Sequence, residues 1–272
     1  MVNRAAATLL NVRALLGLGA LLALIAFPDA ARAADPGCKP DVASLGAPVV
    51  RASLKPDEVR LAFVGHATFL IESPGGVTAA TDYNDYVRAS SAPSIATMNK
   101  AHSTHFSRNP EAGIAHLLPG WNPAGGPAAH DLTHGDMRVR NVPTNIRTFS
   151  GGTDYDGNSI FIFEIGDLCI VHLGHLHHTL EPGHLRAIGR ADVLLVPVDG
   201  GYTLDMEGMF DVMKLLQARV MVPMHFFGTA TLERFLTKAS VDWPVERRAA
   251  PVLTLSRATL PKEPTVIVLP GR

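Results

Sequence analysis

Cysteine is scarce. Cys38 and Cys169 are the two in 272 residues, so at most one disulfide can form and no cross-linked framework holds the chain together. A Cys38–Cys169 bridge would tie the N-terminal segment to a buried strand, but the apolar run around Cys169 favours an inert core thiol. Excess charge of either sign is lacking too, with 24 Lys and Arg against 25 Asp and Glu. Without a basic field, a nucleic-acid partner is excluded. A membrane-spanning run is also missing: Ala14 to Phe27 is 14 residues, short of the roughly 20 a spanning helix needs. That run follows Arg4 and Arg13 and leads through Pro28 into Ala31-Arg32-Ala33, the small-x-small pattern of a signal-peptide cleavage site. Cleavage after Ala33 is expected. No Leu-x-x-Cys box precedes Cys38 and no twin arginine precedes the apolar run, so the product expected is a soluble periplasmic or secreted protein with no stable membrane anchor. Losing residues 1–33 removes three arginines and one aspartate and leaves 239 residues at net charge −3, enough for a large core.

Histidine, by contrast, gathers where apolar runs end. The stretch Cys169-Ile-Val-His-Leu-Gly-His-Leu-His-His178 breaks from a buried strand at Gly174 into a loop bearing His175, His177 and His178. Several imidazoles close together at a strand end suggest a metal, whereas His172, alone within the strand, reads as a hydrogen-bonded core residue. Two more strand ends deliver histidine. Ser94 to Met98 runs into His102 and His105, three apart, and Arg219 to Met224 ends in His225. A His-x-x-His pair by itself is a weak signal that equally suits a polar loop; its position after a strand is what favours metal.

The remaining pattern sets the fold class. Residues 34–58 lack periodicity and read as a leader segment, with the domain spanning 59–272. Leu61–Val64, Thr68–Ile71 and Val77–Thr81 predict a three-stranded meander whose third strand ends in Asp82, a turn cap or a site carboxylate. Residues 109–136 predict a long loop, with Trp121 as a lid or a small-core plug and with His116, His130 and His134 facing solvent. Met137–Val142 alternates as a strand, 144–152 reads as a loop, and Asp154–Gly157 reads as the turn leading to strands at Ser159–Glu164 and Leu168–His172. Helices then alternate with buried strands. Glu181–Gly189, Asp205–Ala218 and Leu232–Ala239 are helical, while Asp192–Pro197, Arg219–Met224 and Pro264–Leu269 are strands of a largely parallel sheet. The ends of two of those strands offer Asp199-Gly-Gly-Tyr202 and His225 on one edge, where such sheets place ligands.

Taken in order, Phe63-Val-Gly-His-Ala-Thr-Phe-Leu-Ile71, Thr81-Asp82, the region of His105, His172-Leu-Gly-His-Leu-His-His178, Val196-Pro-Val-Asp-Gly-Gly-Tyr-Thr203 and Val222-Pro-Met-His225 resemble the metallo-β-lactamase superfamily. The branch most similar is that of the ascorbate-6-phosphate lactonase-like and related metal-dependent hydrolases. The resemblance implies an α/β fold, a four-layer αβ/βα sandwich with its site on one edge. It also implies metal-activated water and an ester, lactone, amide or phosphoester as small-molecule substrate. The departures are specific. The family's His-x-His-x-Asp-His, set with Phe106 aligned, falls on Ser103, His105, Ser107 and Arg108, so only the second histidine survives. A later family histidine, expected near Asn145 or Ile146, is absent, and the bridging aspartate is His175 here. His225 matches the last ligand.

These changes point to one metal ion in place of two. The expected ligands are His105, His175 and His225, with His102 or His177 as a fourth. The expected ion is zinc, with iron, manganese or nickel as alternatives. His66, Asp82 and Tyr202 are the candidates for orienting substrate or shuttling a proton. The alternatives are a catalytically silent metal- or ligand-binding protein that keeps the fold, and redox chemistry at a histidine-bound iron.

Overall fold

The computed structural model describes residues 53–271. The expected signal peptide at 1–33, residues 34–52 of the leader segment and Cys38 lie outside the described residues. β1 (Val59–Gly65), β2 (Thr68–Glu72) and β3 (Thr78–Ala80) form the antiparallel meander that the three short apolar runs predict. β4 (Ile95–Met98) and β5 (His116–Pro119) add in parallel beyond β3. The second sheet begins with four antiparallel strands: β6 (Asp131–His134), β7 (Met137–Arg147), β8 (Thr153–Ile165) and β9 (Leu168–His172). It continues in parallel through β10 (Val193–Pro197), β11 (Val220–Met224) and β14 (Thr265–Val268) to β12 (Val245–Arg247). β13 (Val252–Leu255) returns to pair with β1, giving sheet orders β13-β1-β2-β3-β4-β5 and β12-β14-β11-β10-β9-β8-β7-β6.

Alternation along each strand decides which layer a side chain joins. Leu61, Phe69 and Ile71 of the first sheet meet Phe161, Phe163, Leu195 and Val222 of the second, all fully buried. Each such side chain contributes about 1.5–3 kcal/mol through removal from water. Ile160, Ile162, Val171, Leu194 and Val196 face the other way, under α1 (Pro182–Ile188), α2 (Met206–Leu216) and α3 (Thr229–Ala239), which bring Ile188, Phe210, Met213 and Leu236. That double coverage is why β10 and β11 are apolar at every position. The outer face of the six-stranded sheet is covered by irregular chain: Tyr83, Phe106, Ile114 and Trp121 pack over Ala80, Ala96 and Met98. Trp121 therefore plugs a small core, its ring 6.0 Å from that of Phe106. The whole is an α/β sandwich of two face-to-face sheets, with helices outside one and loops outside the other among the described residues.

Several local expectations are overturned. Residues 109–136 are no single loop, since they hold β5 and β6 at the outer edges of the two sheets. Four-residue edge strands carry too short a pattern to reveal themselves. His116 and His134 are half-buried and meet across those edges, Nε2 to Nδ1 at 3.1 Å, while His130 Nε2 donates to Pro119 O at 2.7 Å. The β7–β8 turn lies at Thr148–Gly152, closed by Thr148 N donating to Gly152 O at 2.9 Å. Asp154–Gly157 instead sits inside β8, where Asp156 at φ 56° accompanies the register shift opposite Thr144–Ile146. A bulge and a turn use the same Asp-Gly chemistry. Cys169 is half-buried rather than in the core, with Arg190 Nη2 3.5 Å from its sulfur, and burial pushes its thiol up.

Candidate metal centre

The centre forms where β1, β3, β4, β9, β10 and β11 end. Immediately after three of these strands the backbone takes left-handed conformations at His66 (φ 54°), Asp82 (φ 41°) and His225 (φ 55°). Only two other described non-glycine residues do so, Asp156 and Gln217. Such positions cost about 1 kcal/mol or more each and are retained where they aim a side chain. His225 N donates to His66 O at 2.8 Å, which ties the two sheets together at this edge. Gly174 (φ +61°) turns the chain after β9. A Cβ there would stand 2.5 Å from both Asn158 Oδ1 and Asn99 Nδ2, the two amides that line the inner wall.

His66, His102, His105 and His225 each offer a ring nitrogen, and these nitrogens lie within 4.8 Å of one another. His105 Nε2 and His225 Nε2 are 3.1 Å apart, and so are His102 Nε2 and His175 Nε2. For His105 and His225 the tautomer is dictated from behind. Asp82 Oδ2 lies 2.5 Å from His105 Nδ1, and Asp199 Oδ1 lies 2.9 Å from His225 Nδ1. Each carboxylate requires an Nδ1–H, which leaves both Nε2 atoms as bare lone pairs pointed at one another. Two lone pairs at that distance repel unless a cation lies between them. Nitrogens each about 2.0–2.1 Å from one ion are about 3 Å apart, so the separation suits shared coordination. His66 Nε2, buried and without a hydrogen-bond partner in the described residues, fits the same role. The ring therefore fits a metal ion on its own geometry. Carboxylates behind the histidines are the usual outer partners of such ligands, fixing orientation and raising basicity.

Electrostatics agree. Burial, reinforced by the neighbouring imidazoles, lowers His66 to about 3, and burial followed by Arg147 lowers His177 to about 4. His102, His105 and His175 are lowered for the same first reason, burial, so all five are held neutral, the state a ligand needs. Asp82, fully buried, is raised to about 6 by desolvation. Desolvation would raise Asp199 as well, but hydrogen bonds from His225, Thr203 and Gly201 outweigh it and hold that carboxyl well below the usual range.

The expected site residues divide into three groups. His102, His105, His175 and His225 converge, and His66, expected as a proton shuttle, joins their ring. Asp82 stands behind that ring with both oxygens engaged, Oδ1 by Asn99 Nδ2 at 2.9 Å and Oδ2 by His105, so it positions a ligand and does not face substrate. His177 is likewise one step back, its Nε2 2.6 Å from His175 Nδ1. Tyr202 is 56 % exposed at the rim. His172 is a satisfied core residue, with Nε2 on Ala67 O at 3.0 Å and Nδ1 accepting from Gly174 N. The structure also corrects the motif register. With His102 and His105 both directed at the centre, Lys100-Ala-His-Ser-Thr-His105 occupies the six positions of His-x-His-x-Asp-His, keeping two histidines and replacing the first by lysine and the aspartate by threonine. Thr104 Oγ1 lies 2.8 Å from His102 Nδ1. Asn99 and Asn158 belong to the site without having been singled out for it, and Asp199, expected at the ligand edge, had been given no role there. Neither asparagine left a signal in the sequence.

A cavity of about 520 Å³ opens beside the ring, its lining including His102, His175, His177, Arg147, Phe149 and Tyr202. Comparison with known proteins places this arrangement. A family model described as a beta-lactamase superfamily domain matches residues 60–225, more than half of the chain. A UPF0173 metal-dependent hydrolase of Thermoplasma acidophilum is 29% identical over 92 residues, 33% of this chain and 40% of that protein, so the match spans well under half of that relative. A UPF0173 protein of Pyrococcus abyssi is 25% identical over 199 residues, 65% of this chain and 89% of its own. Among solved structures, a Thermotoga maritima protein named for the metallo-beta-lactamase superfamily superposes with a TM-score of 0.60 at 27% identity, over 79% of this chain and 100% of that one. A Parabacteroides distasonis protein at 14% identity shares the fold, with a TM-score of 0.52 over 68% of this chain and 89% of its own. By its matched domain, its paired sheets and the histidine ring at their shared edge, the chain belongs to the metallo-β-lactamase superfamily.

Proposed function

We propose that this chain is an exported metal-dependent hydrolase that holds one divalent ion, zinc in the first place, and cleaves an ester, lactone, amide or phosphoester. The observation that carries the reading is the pair of bare Nε2 atoms of His105 and His225, 3.1 Å apart, each with its Nδ1 spoken for by a buried carboxylate. The names of the Thermoplasma and Thermotoga relatives, which point to metal and zinc dependence, support it. Zinc held by imidazoles supplies Lewis acidity and a hydroxide source near neutral pH.

The chain's own residues do the rest. Asp82 and Asp199 lock the tautomers of His105 and His225, and Thr104 and His177 stand at Nδ1 of His102 and His175. Among the described residues both nearby carboxylates are spent on histidine, which supports a single ion, since bridging two ions would require one of them in the ring. With no carboxylate in the ring among the described residues, an iron oxygenase site of the two-histidine, one-carboxylate type is disfavoured. Tyr202, which lines the cavity, would orient a substrate through its hydroxyl.

The test is metal content per chain, by inductively coupled plasma mass spectrometry, on protein purified without chelators or a nickel column. One ion per chain, lost in His105→Ala and His225→Ala, is expected. Two ions would restore a binuclear reading, and none after reconstitution would leave a silent binding protein. Export is checked separately: the extracytoplasmic protein is expected to begin at Ala34.

A further inference from the structure

Arg147 closes β7 and lines the same cavity as His102, His175 and His177. It is exposed, and its Nη2 donates to the carbonyls of Gly201 at 3.0 Å and Thr203 at 3.3 Å. Neither carbonyl carries a charge, so the two bonds orient the guanidinium without neutralising it. Among the described residues Nε and Nη1 have no hydrogen-bond partner and no carboxylate pairs with Arg147. By contrast, Arg88, Arg138, Arg247 and Arg257 each reach a carboxylate within 2.7 Å. Lys100, beside the lining residue Ala101, is likewise taken, by Asp154 at 2.8 Å.

The loop that Arg147 touches explains why the guanidinium sits where it does. Gly201, Tyr202 and Thr203 turn their N–H groups inward to Asp199 Oδ2, at 2.9, 2.5 and 3.2 Å. An internal carboxylate thus fills what would otherwise be an anion nest. The carbonyls of Gly201 and Thr203 are left to hold Arg147. With the loop amides closed to a ligand, the guanidinium is the group in this cavity that has N–H donors and charge to offer an anion. No aspartate or glutamate lines the cavity among the described residues, so no fixed negative charge in its wall competes. The same cavity opens on His102 and His175 of the centre, so one molecule can touch both ends of it.

We infer that Arg147 anchors an anionic group on the body of the substrate, a carboxylate or a phosphate, while the bond to be cleaved lies towards the histidine ring. The word substrate rests on the hydrolase reading; the anion site does not. The probes are phenylacetate and phenyl phosphate, with phenylacetamide as the uncharged counterpart of phenylacetate. Binding of each to the whole protein as purified is measured by saturation-transfer NMR and calorimetry, with metal content determined on the same samples. Wild type is expected to bind at least one anion about tenfold or more tightly than phenylacetamide. Arg147→Gln keeps an amide donor and removes the charge. It should weaken that anion about tenfold, the value of a charge-assisted hydrogen bond, and leave phenylacetamide within about twofold. Arg147→Lys, which keeps the charge but not the planar fork, should recover part of the loss. The anion that loses more in Arg147→Gln tells carboxylate from phosphate. An anion held by the metal ion alone would bind Arg147→Gln as tightly as wild type, and that result overturns the inference. So does an equal loss of phenylacetamide, a matching loss of metal, or a wild type that binds neither anion more tightly than the amide. Anion binding that depends on Arg147 in a protein that takes up no metal would uphold the inference while removing the hydrolase reading alone.

Discussion

Replacing Asp199 by asparagine keeps the shape of the side chain and inverts its chemistry. Asp199 Oδ1 accepts from His225 Nδ1 at 2.9 Å and from Thr203 Oγ1 at 2.5 Å, while Oδ2 accepts from the amides of Gly201, Tyr202 and Thr203. An asparagine has one acceptor oxygen, and three N–H donors compete for it on one side against two donors on the other. The oxygen is expected to stay with the three amides, which turns the amide NH2 towards His225. His225 Nδ1 must then accept, its proton moves to Nε2, and the lone pair that faces His105 is gone. Loss of an outer partner of this kind costs about 10–100-fold in metal affinity, or about 1.4–2.8 kcal/mol. Folding stability should fall as well, by about 2–4 kcal/mol, since charge-assisted bonds to a buried carboxylate become neutral or are lost. The assay is competition with a chromophoric chelator for affinity and urea unfolding of the metal-free protein for stability. Thr203→Val is the control. It removes one hydroxyl donor from the same oxygen, at about 1 kcal/mol of stability, and leaves the His225 tautomer alone. Wild-type affinity in Asp199→Asn would refute the tautomer argument, whatever happened to stability.

Three further expectations follow from the same geometry. Metal-free protein should lose stability on acidification: His66 and His177 have folded values of about 3 and 4, so below the unfolded value of about 6.5 the unfolded state binds protons that the folded state refuses, at about 1.4 kcal/mol per pH unit per group. Asp82, raised to about 6, acts in the opposite sense between about 6 and 3.8, but it is one group against six lowered histidines among the described residues; urea midpoints that stay flat or rise from pH 7.5 to 5 would contradict this. Gly174→Ala adds a methyl 2.5 Å from Asn158 Oδ1 and Asn99 Nδ2 at a positive φ, so a loss of about 2–4 kcal/mol with reduced metal content is expected, and a melting temperature within a degree of wild type would count against it. Expression with the native N-terminus should yield extracytoplasmic protein whose first residue, by N-terminal sequencing, is Ala34; full-length chain retained in the cytoplasm would remove the export proposal.

Much of the fold was legible because its signals are local. The meander β1–β3 shows in short apolar runs broken by Gly65-His66 and Pro74-Gly75-Gly76, and α2 shows in an apolar face headed by Asp205, whose side chain accepts from Gly208 N at 3.0 Å. β10 and β11 are continuous apolar runs because both their faces are covered. β5 and β6 were illegible for the opposite reason: four residues at a sheet edge, half solvated, repeat nothing. Asp154–Gly157 misled because a bulge inside β8 and a hairpin turn need the same residues.

At the site, residue types and strand-end positions were enough to name His102, His105, His175 and His225, since imidazoles at successive strand ends have few other uses in one fold. Their division of labour was not in the sequence. Whether Asp82 faces substrate or stands behind His105 depends on a 2.5 Å contact across 23 residues of chain, and whether His66 shuttles protons or joins the ring depends on β1 ending against β11. Asp199 gained its role from packing alone, by meeting His225 from the neighbouring strand end. Periodicity and turn chemistry act over a few residues and can be read along the chain. Tautomers, lone pairs and filled anion nests are set by atoms brought together from distant segments, so only the tertiary structure decided them.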